Sequence, residues 1–161
     1  MTALGVFRDD FYNAVGVLPQ SQFNATTQAT GTTLAAASIA GAGDCYVSFS
    51  GQAATTITTD SAINIIAQIQ NAVATAYKQG LGSFAAGVNP PPGVPNLFNV
   101  NWTLTLINLN SATITLSPGT GVTIAAPGGS ILTSTERVYV VTITSPTTVT
   151  FQTTNSGGVA A

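Results

Sequence analysis

Five carboxylates, one thiol and three basic side chains carry nearly all the reactive chemistry of this 161-residue chain. Asp9 and Asp10 are adjacent, Asp44 sits in "GAGDC", Asp60 precedes a helical pattern, and Glu136 adjoins Arg137. A glycosidase needs two carboxyl groups facing one sugar across roughly 5–10 Å. Asp44 with Asp60 or Glu136 are the pairs that could meet, and no spacing brings them together. The chain has no histidine. Hydrolytic triads, zinc centres and Cys–His nucleophile pairs therefore have no material. Cys45 is the only cysteine, which forbids an intrachain disulfide, and within "CYVSFSG" it reads as a small buried apolar residue. Each carboxylate is more simply a cap, a turn former or an ion-pair partner. The expectation is no enzyme, no metal and no cofactor, with a weak hydrolase built on Asp44, Asp60 and Glu136 as the outlying reading.

Composition narrows the classes further. Charged residues are 5% of the chain, against about 25% in an average soluble protein. Arg8, Lys78 and Arg137 are too few and too scattered to neutralise phosphates, so no nucleic-acid partner is expected. Mean hydropathy is +0.38, yet no run approaches the roughly 20 apolar residues of a membrane helix. "LAAASIAGAG" (34–43) is short and ends at Asp44, and the N-terminus has no basic start before an apolar stretch. No membrane partner and no signal peptide are expected.

The elements that would position these groups divide the chain into an N-terminal arm (1–24) and a single β-rich domain (25–161). In the arm, Phe7, Phe11 and Val15 recur at helical spacing beside Tyr12, until Pro19. Two readings stand: a docking arm that carries aromatics to a neighbour, or a terminal helix folded back on its own core. "CYVSFSG" alternates as a strand, and a weaker strand fits residues 33–39. One helix is expected over about 61–79, capped by Asp60, with Ile65, Ile66, Ile69, Ala72, Val73, Ala76 and Tyr77 as its apolar stripe. Lys78 and Gly80 suit its end. "GSFAAGVNPPPGVPN" (82–96), with Pro90, Pro91, Pro92 and Pro95, reads as an exposed excursion of extended backbone. Beyond Phe98 the pattern is β: Val100, Trp102, Leu104 and Leu106 share one side, and a switch to Ile107 and Leu109 implies a bulge or a strand buried on both faces. "SPGTGVT" reads as a hairpin turn. Trp102, Leu104, Val141, Ile143 and Phe151 are assigned to the core. Turns roughly every 8–12 residues between Thr/Val/Ile strands predict an antiparallel β-sandwich or jelly roll with the helix covering it.

From residue 79 to 135 no side chain carries a formal charge. A sheet face in water ordinarily carries Lys, Glu and Asp, partly to keep its edges apart. A hydroxyl- and amide-rich face without them suits permanent contact with other protein subunits.

"WTLTLINLNSATITLSPGTGVTI" (102–124) and "STERVYVVTITSPTTVTFQTT" (134–154) follow the helix. The strand with Leu106, Asn108 and Asn110 resembles one step of a recurrent module of tailed-bacteriophage virion proteins. The hairpin with Thr115, Leu116, Gly119 and Gly121, and the strand with Arg137, Val138, Val141 and Thr142, continue that resemblance over about residues 60–155. "NPPPGVPNLFN" and the arm depart from it. The resemblance implies a decoration (cement) protein on the capsid exterior, a homo-oligomer (dimer or trimer) that bridges major capsid protein subunits. The contacts expected on this reading are Phe7, Phe11 and Tyr12 in the arm and Pro90, Pro91, Pro92 and Pro95 in the loop. The alternative is a head-fibre or tail-fibre module that binds a host-surface glycan.

Overall fold

A computed structural model describes residues 24–29, 31–40, 44–53, 55–76, 97, 99–154 and 159–160. The described chain is mainly β. Its elements are β1 (Asn24–Gln28), β2 (Thr33–Leu34), α1 (Ala36–Ile39), β3 (Cys45–Phe49), β4 (Thr56–Thr59), α2 (Ala62–Ala76) and β5 (Asn101–Asn108). They continue with β6 (Ile114–Ser117), β7 (Val122–Ile124), β8 (Ser130–Ile131), β9 (Thr135–Ser145), β10 (Thr148–Thr153) and β11 (Val159–Ala160). The weak strand expected over 33–39 is thus two residues of strand followed by a helical turn. Neither described helix is long and apolar enough to cross a membrane.

The strands form two mixed sheets. The larger runs β1-β3-β5-β9-β10-β7, with β11 also on β9, and the smaller runs β2-β4-β6-β8. From β1 to β9 successive strands alternate between the sheets, so each turn carries the chain across rather than back. β1, β3 and β5 consequently lie parallel, as do β2, β4 and β6. β5–β9, β9–β10, β11–β9 and β6–β8 are antiparallel, and β7 joins β10 in parallel. This corrects the all-antiparallel expectation. Turn residues mark where a strand ends, but not whether the next strand pairs with it. "SPGTG" is the plainest case: it connects β6 in one sheet to β7 in the other, and is no hairpin.

Both sheets and both helices contribute to one buried cluster. Val47, Phe49, Leu104, Leu106, Tyr139, Val141 and Phe151 come from the larger sheet, Leu34, Ile57, Ile114 and Ile131 from the smaller, and Ile39, Ile65, Ile66 and Ile69 from the helices. All five residues assigned to the core, Trp102, Leu104, Val141, Ile143 and Phe151, are buried, and so is Cys45. The apolar stripe of α2 is buried at Ile65, Ile66 and Ile69; its later members, with Lys78, Gln79 and Gly80, lie outside the residues whose side chains are described.

β5 does not switch phase. Its register with β9 is continuous from Asn101↔Thr142 to Asn108↔Thr135, with no bulge. The inward series is Trp102, Leu104, Leu106 and then Asn108, while Ile107 is half-buried and Leu109 exposed. An asparagine occupies the inward position because its carboxamide is fully bonded there. Burial on both faces is realised only at Thr105, which is 3% exposed although it points away from the core.

The helix start also shifts by one residue. Ser61, not Asp60, holds the cap position, its Oγ accepting the Asn64 N–H at 3.4 Å. Asp60 lies outside the helix and binds across it. Oδ1 accepts the Ser61 N–H and the Asn64 side-chain amide, both at 2.7 Å, and Oδ2 accepts the Ala36 N–H at 3.1 Å, which joins the starts of the two helices. The β6–β7 turn packs on the same spot. Gly119 donates its N–H to Thr59 Oγ1 at 2.8 Å, and a Cβ at 119 would collide with the Thr59 and Asp60 carbonyl oxygens. That close approach explains the first glycine of the turn; Gly121, with φ of 75°, needs the left-handed region.

Candidate functional site

The carboxylates are dispersed. Asp44 is exposed before β3, Asp60 is consumed at the helix junction, and Glu136 is half-buried on the outward side of β9. No group of three or more His, Cys, Asp or Glu side chains that could hold a metal occurs among the described residues. Burial alone would raise the pKa of Asp60, but the hydrogen bonds from Asn64, Ser61 and Ala36 outweigh it and hold the carboxyl below its usual value. Its role is architectural. Asp9 and Asp10 lie outside the described residues.

Arg137 points inward on β9 and is buried, opposite Leu106. Its Nη1 donates to the Pro127 carbonyl at 3.3 Å, and its Nε has no hydrogen-bond partner among the described residues. Two residues on, the Tyr139 hydroxyl donates to the Gly128 carbonyl at 2.5 Å. Together they pin the turn between β7 and β8. Burial pushes the Tyr139 phenol far above its ordinary value, against a smaller opposing effect of the Arg137 charge.

At the end of the core where β3 and β5 finish, three amides form a chain. Asn108 Nδ2 donates to the Ala112 and Ile131 carbonyls at 2.9 and 3.0 Å, while its Oδ1 accepts the Asn110 N–H at 2.9 Å. Asn110 Oδ1 accepts the Gln52 N–H at 2.9 Å, and Gln52 Nε2 donates to the Gly31 carbonyl. The chain ties the β1–β2, β3–β4 and β5–β6 turns to the end of β8, and Leu109 and Leu132, its neighbours in sequence, are the exposed large apolar side chains of the described surface.

What remains as a candidate interaction surface is the outward face of the larger sheet. One row across it is Tyr46, Thr105 and Val138; the next is Ser48, Ile107 and Glu136; Thr103 stands opposite Val140. These side chains are half-buried apart from Thr105, and Glu136 is the one charge among them. An apolar and hydroxyl surface of this kind can meet another protein while desolvating no charge but Glu136. Alternation within "CYVSF" and "RVYVV" reveals the two sides of each strand; the pairing that makes the outward residues one patch was not legible. The contacts expected from sequence, Phe7, Phe11, Tyr12, Pro90, Pro91, Pro92 and Pro95, all lie outside the described residues.

Comparison with family models, curated proteins and solved structures gave no match.

Proposed function

We propose that the two sheets form a β-sandwich, and that the protein is a virion structural protein decorating the outside of an icosahedral phage capsid. In this reading a homo-oligomer bridges major capsid subunits, with the aromatics of the arm and the proline loop as further contacts. The observation that carries it is the outward face of the larger sheet, where Tyr46, Ile107, Val138 and Val140 share a surface with hydroxyls and a single carboxylate. Such a surface favours lasting contact over solvation. The mechanism is linkage: a protein that binds only the assembled shell makes its opening costlier, by about 2.7 kcal/mol per site at a hundredfold excess over Kd. Co-sedimentation with shells that lack the protein tests this. Saturation at a fixed ratio to the major capsid protein is expected, and protein left in the supernatant at every ratio would refute it.

The second reading, a fibre module that binds a host-surface glycan, draws on the parallel order of β1-β3-β5 in one sheet and β2-β4-β6 in the other, with the chain alternating between them. Stacked coils extend by repetition, as elongated repeat proteins do. It requires an elongated trimer and binding in a glycan screen, neither of which the decoration reading expects.

A further inference from the structure

We propose that β1 is a self-pairing edge, joining a second copy of this chain antiparallel about a two-fold axis at Thr26, so that the larger sheets of the two copies become continuous. An open strand edge presents unpaired N–H and C=O groups, and proteins ordinarily blunt it with charge, proline or shortness. Every other sheet edge among the described residues is blunted by shortness: β7 has three residues, and β2, β8 and β11 have two each. β1 has five, NATTQ, paired over its whole length with β3 on one side and with no described strand on the other. No charge occurs between Asp10 and Asp44, and no proline between Pro19 and Pro90. Among the described residues this edge has none of the usual protections.

The main-chain directions define the pairing. The Ser50 N–H donates to the Gln28 carbonyl at 3.4 Å, so Gln28 turns its peptide groups toward β3. Peptide groups alternate sides along a strand, so Asn24 and Thr26 do likewise, while Ala25 and Thr27 turn theirs outward. An antiparallel partner centred on Thr26 sets Ala25 against Thr27 of the second copy and Thr27 against its Ala25. Each facing pair then exchanges both hydrogen bonds, with no like charges opposed. The inference deepens the homo-oligomeric part of the proposed function by naming the surface. It does not involve the shell, so its failure leaves shell binding untouched.

Sedimentation equilibrium of the full chain, with Thr27→Pro and Ala25→Pro, is the test. Each proline removes an outward N–H and leaves the inward ladder to β3 in place. A dimer is expected, with a dissociation constant at least tenfold weaker in Thr27→Pro and circular dichroism unchanged. If the variants fail to fold, hydrogen exchange on the unsubstituted chain decides: the Ala25 and Thr27 amides must slow as protein concentration rises. A chain that stays monomeric, a dimer indifferent to both prolines in folded protein, or amides protected equally at every concentration would each overturn the proposal. The last result would mean that the chain's own residues cover the edge.

Discussion

The indole Nε1 of Trp102 donates to the carbonyl oxygen of Ile39 at 2.7 Å, joining the start of β5 to the end of α1. α1 is a single turn, with no side-chain hydrogen bond at its N-cap, and this bond fixes its far end to the core. Trp102→Phe keeps an aromatic ring in the core, leaves a gap where the indole is larger, and strands a buried acceptor. A loss of about 1–3 kcal/mol in urea unfolding is expected, with the m-value unchanged.

Asn108 holds three main-chain groups: the carbonyls of Ala112 and Ile131 and the N–H of Asn110. Leucine has a similar volume, and would continue the apolar series of β5, yet it would leave those groups unpaired. Asn108→Leu is therefore expected to destabilise by about 2–4 kcal/mol, and Asn108→Ala by more, since it also opens a cavity. Midpoints of chemical denaturation measure both. A stabilising Asn108→Leu would show that the amide chain is dispensable.

The acid limb of stability has a contribution from Asp60. Its folded pKa lies below the unfolded reference of 3.8, so the unfolded chain binds its proton first as pH falls. The stabilisation is present above that reference and is lost as pH drops through the lower folded value. The gap in thermal midpoint between the native chain and Asp60→Asn should be constant from neutral pH to about 5 and narrow below 4.

Tyr139 acts at the opposite limit. Its folded pKa is raised above the unfolded reference of 10.0, so its contribution is complete below pH 10 and fades as pH rises beyond it. Alkaline absorbance titration should find the Tyr139 phenol silent until the fold is lost. Tyr139→Phe should abolish that delayed step and cost about 1–2 kcal/mol at neutral pH, through the bond to Gly128.

Local features proved legible where a single element's periodicity decides them. Ile65, Ile66 and Ile69 mark the buried face of α2, and Val47 and Phe49 that of β3. Illegible were features set by partners distant in the chain. The parallel pairing of β3 with β5 joins Val47 to Leu106, and no local pattern specifies it. The apolar series of β5 read as switching to Ile107 and Leu109, because the polarity of the inward Asn108 is satisfied only by Ala112, Ile131 and Asn110 once the turns have closed. Gln52 carried no signal, since its bonds run to Asn110 and Gly31. Gly119 and Gly121 were visible as a turn, but the crowding against Thr59 and Asp60 that requires Gly119 belongs to the assembled fold.

On the proposed function, the outward face of the larger sheet meets the shell with Glu136 as its one charge. The most direct measurement is co-sedimentation with shells lacking the protein, across a salt series, for the native chain and for Val140→Lys on that face. A native affinity nearly flat between low and high salt is expected, because few ion pairs are screened, with at least tenfold weaker binding for Val140→Lys with its fold intact. Affinity that collapses with salt, or a Val140→Lys protein that binds as well as the native chain, would contradict it.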